Sequence, residues 1–177
     1  MKTVGIDASL ANTGCLAYKH GPNQRDFGKI LGELTVGHSI PKGSDVKDSI
    51  LRIIKICQAV NEFIREHEPD FVVVEGPSYA SKWSRHYDLG GLNYSIYMQL
   101  HLVFKITAIV LAPKSARKKG LGRGSAPTTF PGKTGATRTK KWIRMTLEEL
   151  IGKENVPKNE HLRDALVLCL AQQGFRE

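Results

Sequence analysis

The chain has 177 residues, 41% of them apolar, with 26 Lys and Arg against 17 Asp and Glu for a formal net charge of +9. A chain of that length buries roughly two-thirds of its unfolded surface, so no disulfide or metal staple is required, and one soluble globular domain over residues 1–177 is expected. The spacing of Cys15, Cys57 and Cys169 fits no zinc site and reads as reduced core thiols; no apolar run approaches the roughly 20 residues of a membrane helix, and Asp7 interrupts the start where a signal peptide needs unbroken apolar residues, so a cytoplasmic protein with no membrane partner is expected.

In chain order, Thr3–Ile6 and Leu16–Tyr18 read as short strands joined through Ser9, Asn12 and Gly14 in a hairpin, and Lys29–Val36 as a third strand after a Gly21-Pro22-Asn23 turn. From Asp45 to His67 apolar residues recur at three- and four-residue spacing, which predicts an amphipathic helix with Ser44 as N-cap. Phe71–Val74 is an uninterrupted apolar run, the pattern of a strand covered on both faces. A polar and aromatic loop is expected over Ser81–Asp88, then a helix over Leu89–Phe104 and a strand over Ile106–Leu111. Helices over Thr137–Ile151 and Glu160–Gln173 complete the chain. This order predicts an α/β fold with a mixed five-stranded sheet, three antiparallel strands followed by parallel ones, and helices on both faces.

The charge is concentrated. Between Pro113 and Arg144 stand ten basic residues, Lys114, Arg117, Lys118, Lys119, Arg123, Lys133, Arg138, Lys140, Lys141 and Arg144, with no acid, while the rest of the chain holds 16 basic against 17 acidic side chains. With Gly120, Gly122, Gly124, Gly132 and Gly135 interleaved, the first part, about 113–136, is expected to be a flexible loop that binds phosphates.

Two acids end sheet-centre strands: Asp7 after Val4-Gly5-Ile6 and Glu75 after Val72-Val73-Val74, at the carboxyl ends where ligands of open α/β sheets collect. In the last helix His161 and Asp164 share a face, as do Glu160 and Asp164. Neighbouring carboxylates beside a core repel one another unless a cation joins them, and this oxygen-rich set suits Mg²⁺ or Mn²⁺. Two such ions roughly 4 Å apart serve phosphodiester cleavage.

The stretches Gly5-Ile6-Asp7-Ala8-Ser9-Leu10-Ala11-Asn12-Thr13-Gly14, Val73-Val74-Glu75-Gly76-Pro77 and His161-Leu162-Arg163-Asp164-Ala165-Leu166 together resemble the three acidic motifs of the RuvC-type Holliday junction resolvases, of the RNase H-like (retroviral integrase) superfamily. The resemblance implies a metal-dependent homodimeric endonuclease that binds four-way DNA junctions and nicks two opposed strands symmetrically. Residue by residue it implies that Asp7, Glu75 and Asp164 are the catalytic, metal-binding carboxylates, with His161 in a fourth position held by Asp or His. It further implies lysines that hold phosphate, for which the nearest matches are Lys118 or Lys119 and Lys140 or Lys141, Lys118 and Lys140 being the first of each pair. Lys114, Arg117, Lys118, Lys119, Arg123, Lys133, Arg138, Lys140 and Lys141 would contact DNA, and Tyr79, with Trp83 and Tyr87 nearby, would supply a base-stacking wedge. Ala8 replaces the family's proline, and the basic segment is longer than usual. Small size and divergence resemble phage or mobile-element members, acting in a bacterial or phage-infected cell. The rivals are a fork or flap nuclease of the same fold, a catalytically silent junction binder, and an actin-like ATPase. The last requires two such domains.

Overall fold

Alternation along the strands assigns side chains to two separate cores. The computed structural model describes residues 1–22, 28–37, 46–76, 86–132 and 134–173. Its elements run β1 (Lys2–Asp7), β2 (Thr13–Lys19), β3 (Lys29–Val36), α1 (Val46–His67), β4 (Phe71–Glu75), α2 (His86–Phe104), β5 (Ile109–Leu111), α3 (Pro113–Leu121), α4 (Gly135–Ile151), a 3-10 turn (Lys153–Asn155) and α5 (Glu160–Gln173). The five-stranded sheet has the order β3-β2-β1-β4-β5; β1–β2 and β2–β3 are antiparallel, β1–β4 and β4–β5 parallel.

In β4, Val72 and Val74 enter a core beneath α1 and α2, while Val73 enters another beneath α3, α4 and α5. The apolar run at Phe71–Val74 therefore serves both faces, as expected for a strand covered by helices on each side. The helix α2 presents apolar residues on opposite flanks. Leu92, Ile96 and Leu100 are buried in the core shared with α1 and the sheet, whereas Tyr94, Met98 and Leu102, on the same four-residue spacing, are 71%, 57% and 64% exposed.

The basic segment departs from expectation. In place of a loop over all of 113–136, its first nine residues form α3, with Pro113 in the first turn and Gly122 as C-cap at φ 75°. Proline costs nothing at a helix start and glycine takes the left-handed cap conformation, so Ala112-Pro113 and Leu121-Gly122 bracket a helix. Ala116 faces α5 as part of the core, and a Cβ on Gly120 would lie 2.7 Å from the Val167 carbonyl oxygen. That glycine serves close packing, which the loop reading took for flexibility. β5 is also shorter than expected, and α2 begins earlier. Ser44, Asn23, Pro77, Tyr79, Trp83 and Lys133 lie outside the described residues. The three cysteines are unpaired and buried, and among the described residues no helix is long and apolar enough to cross a membrane.

Candidate active site

Asp7 and Glu75 meet because their strands run in parallel register. Ile6 pairs with Val74, so the next residue on each strand is an acid, and the two carboxylates emerge side by side on the α5 face. Thr13 closes the preceding turn: its hydroxyl donates to the Ser9 carbonyl at 2.6 Å and accepts from the Ser9 amide at 3.2 Å.

The third contributor arrives on α5, which lies unusually close to the sheet. A Cβ on Gly5 would overlap the Ala165 carbonyl oxygen, and one on Gly14 would lie 2.7 Å from the His161 carbonyl. Gly14 is the antiparallel partner of Asp7. Two glycines in the signature around Asp7 thus admit the first turns of α5. Asn159 fixes the start of that helix, its Oδ1 accepting from the His161 amide at 2.9 Å as an N-cap does. Arg163 ties the preceding loop through the carbonyls of Pro157 and Lys158, at 3.0 and 2.7 Å. The Asn-Glu-His sequence carried the signal for the cap, an Asn directly before the expected helix.

His161 Nδ1 stands 2.7 Å from Asp7 Oδ2. A carboxylate only accepts, so Nδ1 carries the proton, and a neutral ring keeps its lone pair on Nε2. The hydrogen bond to Asp7 raises the His161 pKa, against the opposing effect of burial. Glu75 is pushed up to about 8, chiefly by burial and then by the charges of Asp7 and Asp164, with Arg117 opposing. Asp164 is pushed up to about 6 by burial and Asp7, while Arg117 and His161 oppose. The three carboxylates and the imidazole predicted from sequence therefore share one electrostatic site. Among the described residues no three His, Cys, Asp or Glu side chains are drawn into a ligating group; His161 holds Asp7 instead. The donor set nonetheless fits a hard divalent cation. Its acids are partly buried, mutually repelling oxygen donors, and a cation among them would offset the burial and the crowding that raise the pKa values of Glu75 and Asp164.

The basic residue whose charge acts on Glu75 and Asp164 is Arg117, half-buried on α3 with its Nε donating to the Gly124 carbonyl at 3.0 Å. The sequence places it among the expected DNA contacts, one position before the Lys118 and Lys119 pair. Lys114, Lys118, Lys119 and Arg123 are exposed at the surface beside it. Lys140 and Arg144 are engaged by acids from outside the basic stretch: Lys140 pairs with Glu160 at 2.8 Å, and Arg144 with Glu148 at 2.8 Å. Lys141 is exposed on α4, and Arg138 is partly buried there.

By sequence, no family profile and no curated protein matches the chain. Solved structures do. RuvC of Thermus thermophilus superposes with a TM-score of 0.77 at 17% identity, covering 99% of this chain and 95% of that one. The yeast mitochondrial Holliday junction resolvase Ydc2 gives 0.62 at 15% identity, covering 98% and 78%. The fowlpox virus resolvase, in complex with substrate Holliday junction DNA, gives 0.57 at 14% identity over 100% of both chains. A five-stranded mixed sheet in this order, matched over 98% or more of this chain by all three structures, gives this chain the RuvC-type, RNase H-like fold.

Proposed function

We propose that the protein is a metal-dependent DNA endonuclease that resolves four-way junctions by nicking two opposed strands as a homodimer. The observation that carries this reading is the meeting of Asp7, Glu75 and Asp164, buried enough to raise two of their pKa values, beside a basic surface rich enough to hold a polyanion. A carboxylate cluster alone repels DNA phosphates, so its pairing with ten basic residues in one segment is a combination that phosphodiester chemistry requires and a simple DNA binder does not.

Asp7, Glu75, Asp164 and His161 would hold Mg²⁺ or Mn²⁺, two ions supplying Lewis acidity at the scissile phosphate and a water of lowered pKa. The chain's own contribution is placement. The half-buried Arg117, whose charge lowers the pKa values of Glu75 and Asp164, would neutralise charge that develops on the phosphoryl oxygens. Lys114, Lys118, Lys119, Arg123 and Lys141 offer exposed cations for the flanking backbone. Symmetric nicking demands two sites, and the outward stripe of Tyr94, Met98 and Leu102 on α2 supports self-association through that helix.

The test is cleavage of matched four-way, forked and linear duplex DNAs with Mg²⁺ or Mn²⁺ by the wild type, Asp7→Asn and Glu75→Gln. The expected result is paired nicks in the junction, with both variants reduced beyond the roughly 100-fold typical of losing an outer-shell group while still binding the junction. Preferential cutting of forks would make the protein a broader branch nuclease. Equal activity in the variants would remove the metal-site assignment.

A further inference from the structure

Lys140 lies on the basic helix α4, yet its Nζ sits 2.8 Å from Glu160 Oε2, across the gap to the first residue of α5. Both partners face solvent, with side chains 55% and 41% exposed. The other glutamate oxygen, Oε1, is 4.0 Å from His161 Nε2, on the side of the ring away from Asp7. One carboxylate therefore stands between the polyanion-binding surface and the imidazole of the acid site. It is held there from two directions: Lys140 lowers its pKa, and the α5 amino terminus favours an anion in the first turn.

We propose that Glu160 acts as a built-in stand-in for a DNA phosphate on Lys140, so that DNA engages Lys140 only by exchanging a phosphate for this carboxylate. The proposal rests on the DNA-binding reading above and adds a selectivity element to it. An ion pair between two solvent-exposed side chains is weak, so the exchange is nearly balanced and a correctly seated phosphate completes it. A loosely seated phosphate does not. While paired, Lys140 and Glu160 together bring no net charge to the DNA, and Lys140 is silent in the electrostatics of loose binding. Arg144 differs, since its partner Glu148 lies on the same helix four residues on and away from the acid site. Lys141, exposed next to Lys140, forms no ion pair among the described residues and serves as the reference cation.

The experiment measures the affinity of the full chain for linear duplex DNA in EDTA over about 50 to 200 mM salt, where each phosphate neutralised contributes about 0.9 to the slope of log K against log salt. The proteins are wild type, Lys140→Met, Glu160→Gln, the double variant, and Lys141→Met. The expected result is that Lys140→Met leaves the wild-type slope unchanged, that Glu160→Gln steepens it by about 0.9, and that Lys140→Met in the Glu160→Gln background removes that increment. Lys141→Met lowers the slope equally in both backgrounds. If Lys140→Met has the same effect with and without Glu160, the two residues act independently and the proposal is overturned. A wild type that shows no salt-dependent binding at all overturns the DNA reading, and this proposal with it, whereas salt-dependent binding with additive variants overturns this proposal alone.

Discussion

Carboxylates withdrawn from water and crowded together hold their protons. The folded pKa of Glu75 is about 8 against an ordinary 4.5, and that of Asp164 about 6 against 3.8. A group whose folded pKa is raised contributes stability that is complete below its unfolded value and is lost as pH rises through the folded one. His161, also raised, acts in the same direction. The metal-free protein is therefore expected to lose thermal stability as pH rises from about 5 to 8, first through Asp164 and then through Glu75. Thermal melts in EDTA check this, and Glu75→Gln should flatten the upper part of the fall; a melting temperature that rises over this window would contradict it. Arg117 opposes both shifts, so Arg117→Met should push the Glu75 and Asp164 titrations to still higher pH, as read by carboxyl-carbon NMR. Glu75, like Asp7, is legible as a residue because it closes an apolar strand, whereas Asp164 is legible only beside them, from the helix face it shares with His161. Arg117 is not. The phase of α3 sets Arg117 apart as the partly buried one of three adjacent cations, with Lys118 and Lys119 exposed, and a loop has no helical phase to read.

At the level of elements, the site depends on how closely α5 approaches β1 and β2. Gly5→Ala would drive a methyl group into the Ala165 carbonyl, where neither backbone yields without displacing the helix that carries His161 and Asp164. The expected cost is about 2 to 3 kcal/mol, the scale of overpacking a well-filled core, measured by urea unfolding. Asn159→Ala removes the cap of α5 and a 3.3 Å hydrogen bond to Thr35 Oγ1, and is expected to cost about 1 kcal/mol. The bounds of α5 are readable in the sequence because the apolar stripe through Leu162, Ala165, Leu166 and Cys169 has a helical period. α3 was missed for the opposite reason. It is short, mostly polar and buries little besides Ala116, so it has almost no periodicity, and only its Pro113 and Gly122 brackets announce it.

Over the whole molecule, the outward stripe on α2 makes a further expectation. Wild type should sediment as a dimer, and Met98→Glu with Leu102→Glu should yield a monomer with an unchanged circular dichroism spectrum; a wild type monomeric even on junction DNA would reject the dimeric mechanism. The sequence by itself determined the class of the fold, the two strand-end acids, the helix that brings His161 and Asp164, and the concentration of positive charge. These are set locally, by strand alternation, helix period and the identity of a few residues next to them. Tertiary structure alone decided which face of α2 is buried, which cation reaches the acids, and which basic residues are already neutralised. Lys140 and Glu160 are 20 residues apart and their pairing depends on the packing of α4 beside α5. Charge counted along a chain is therefore not charge presented to a ligand, because Coulomb's law follows distance in space, and only the folded chain sets that distance.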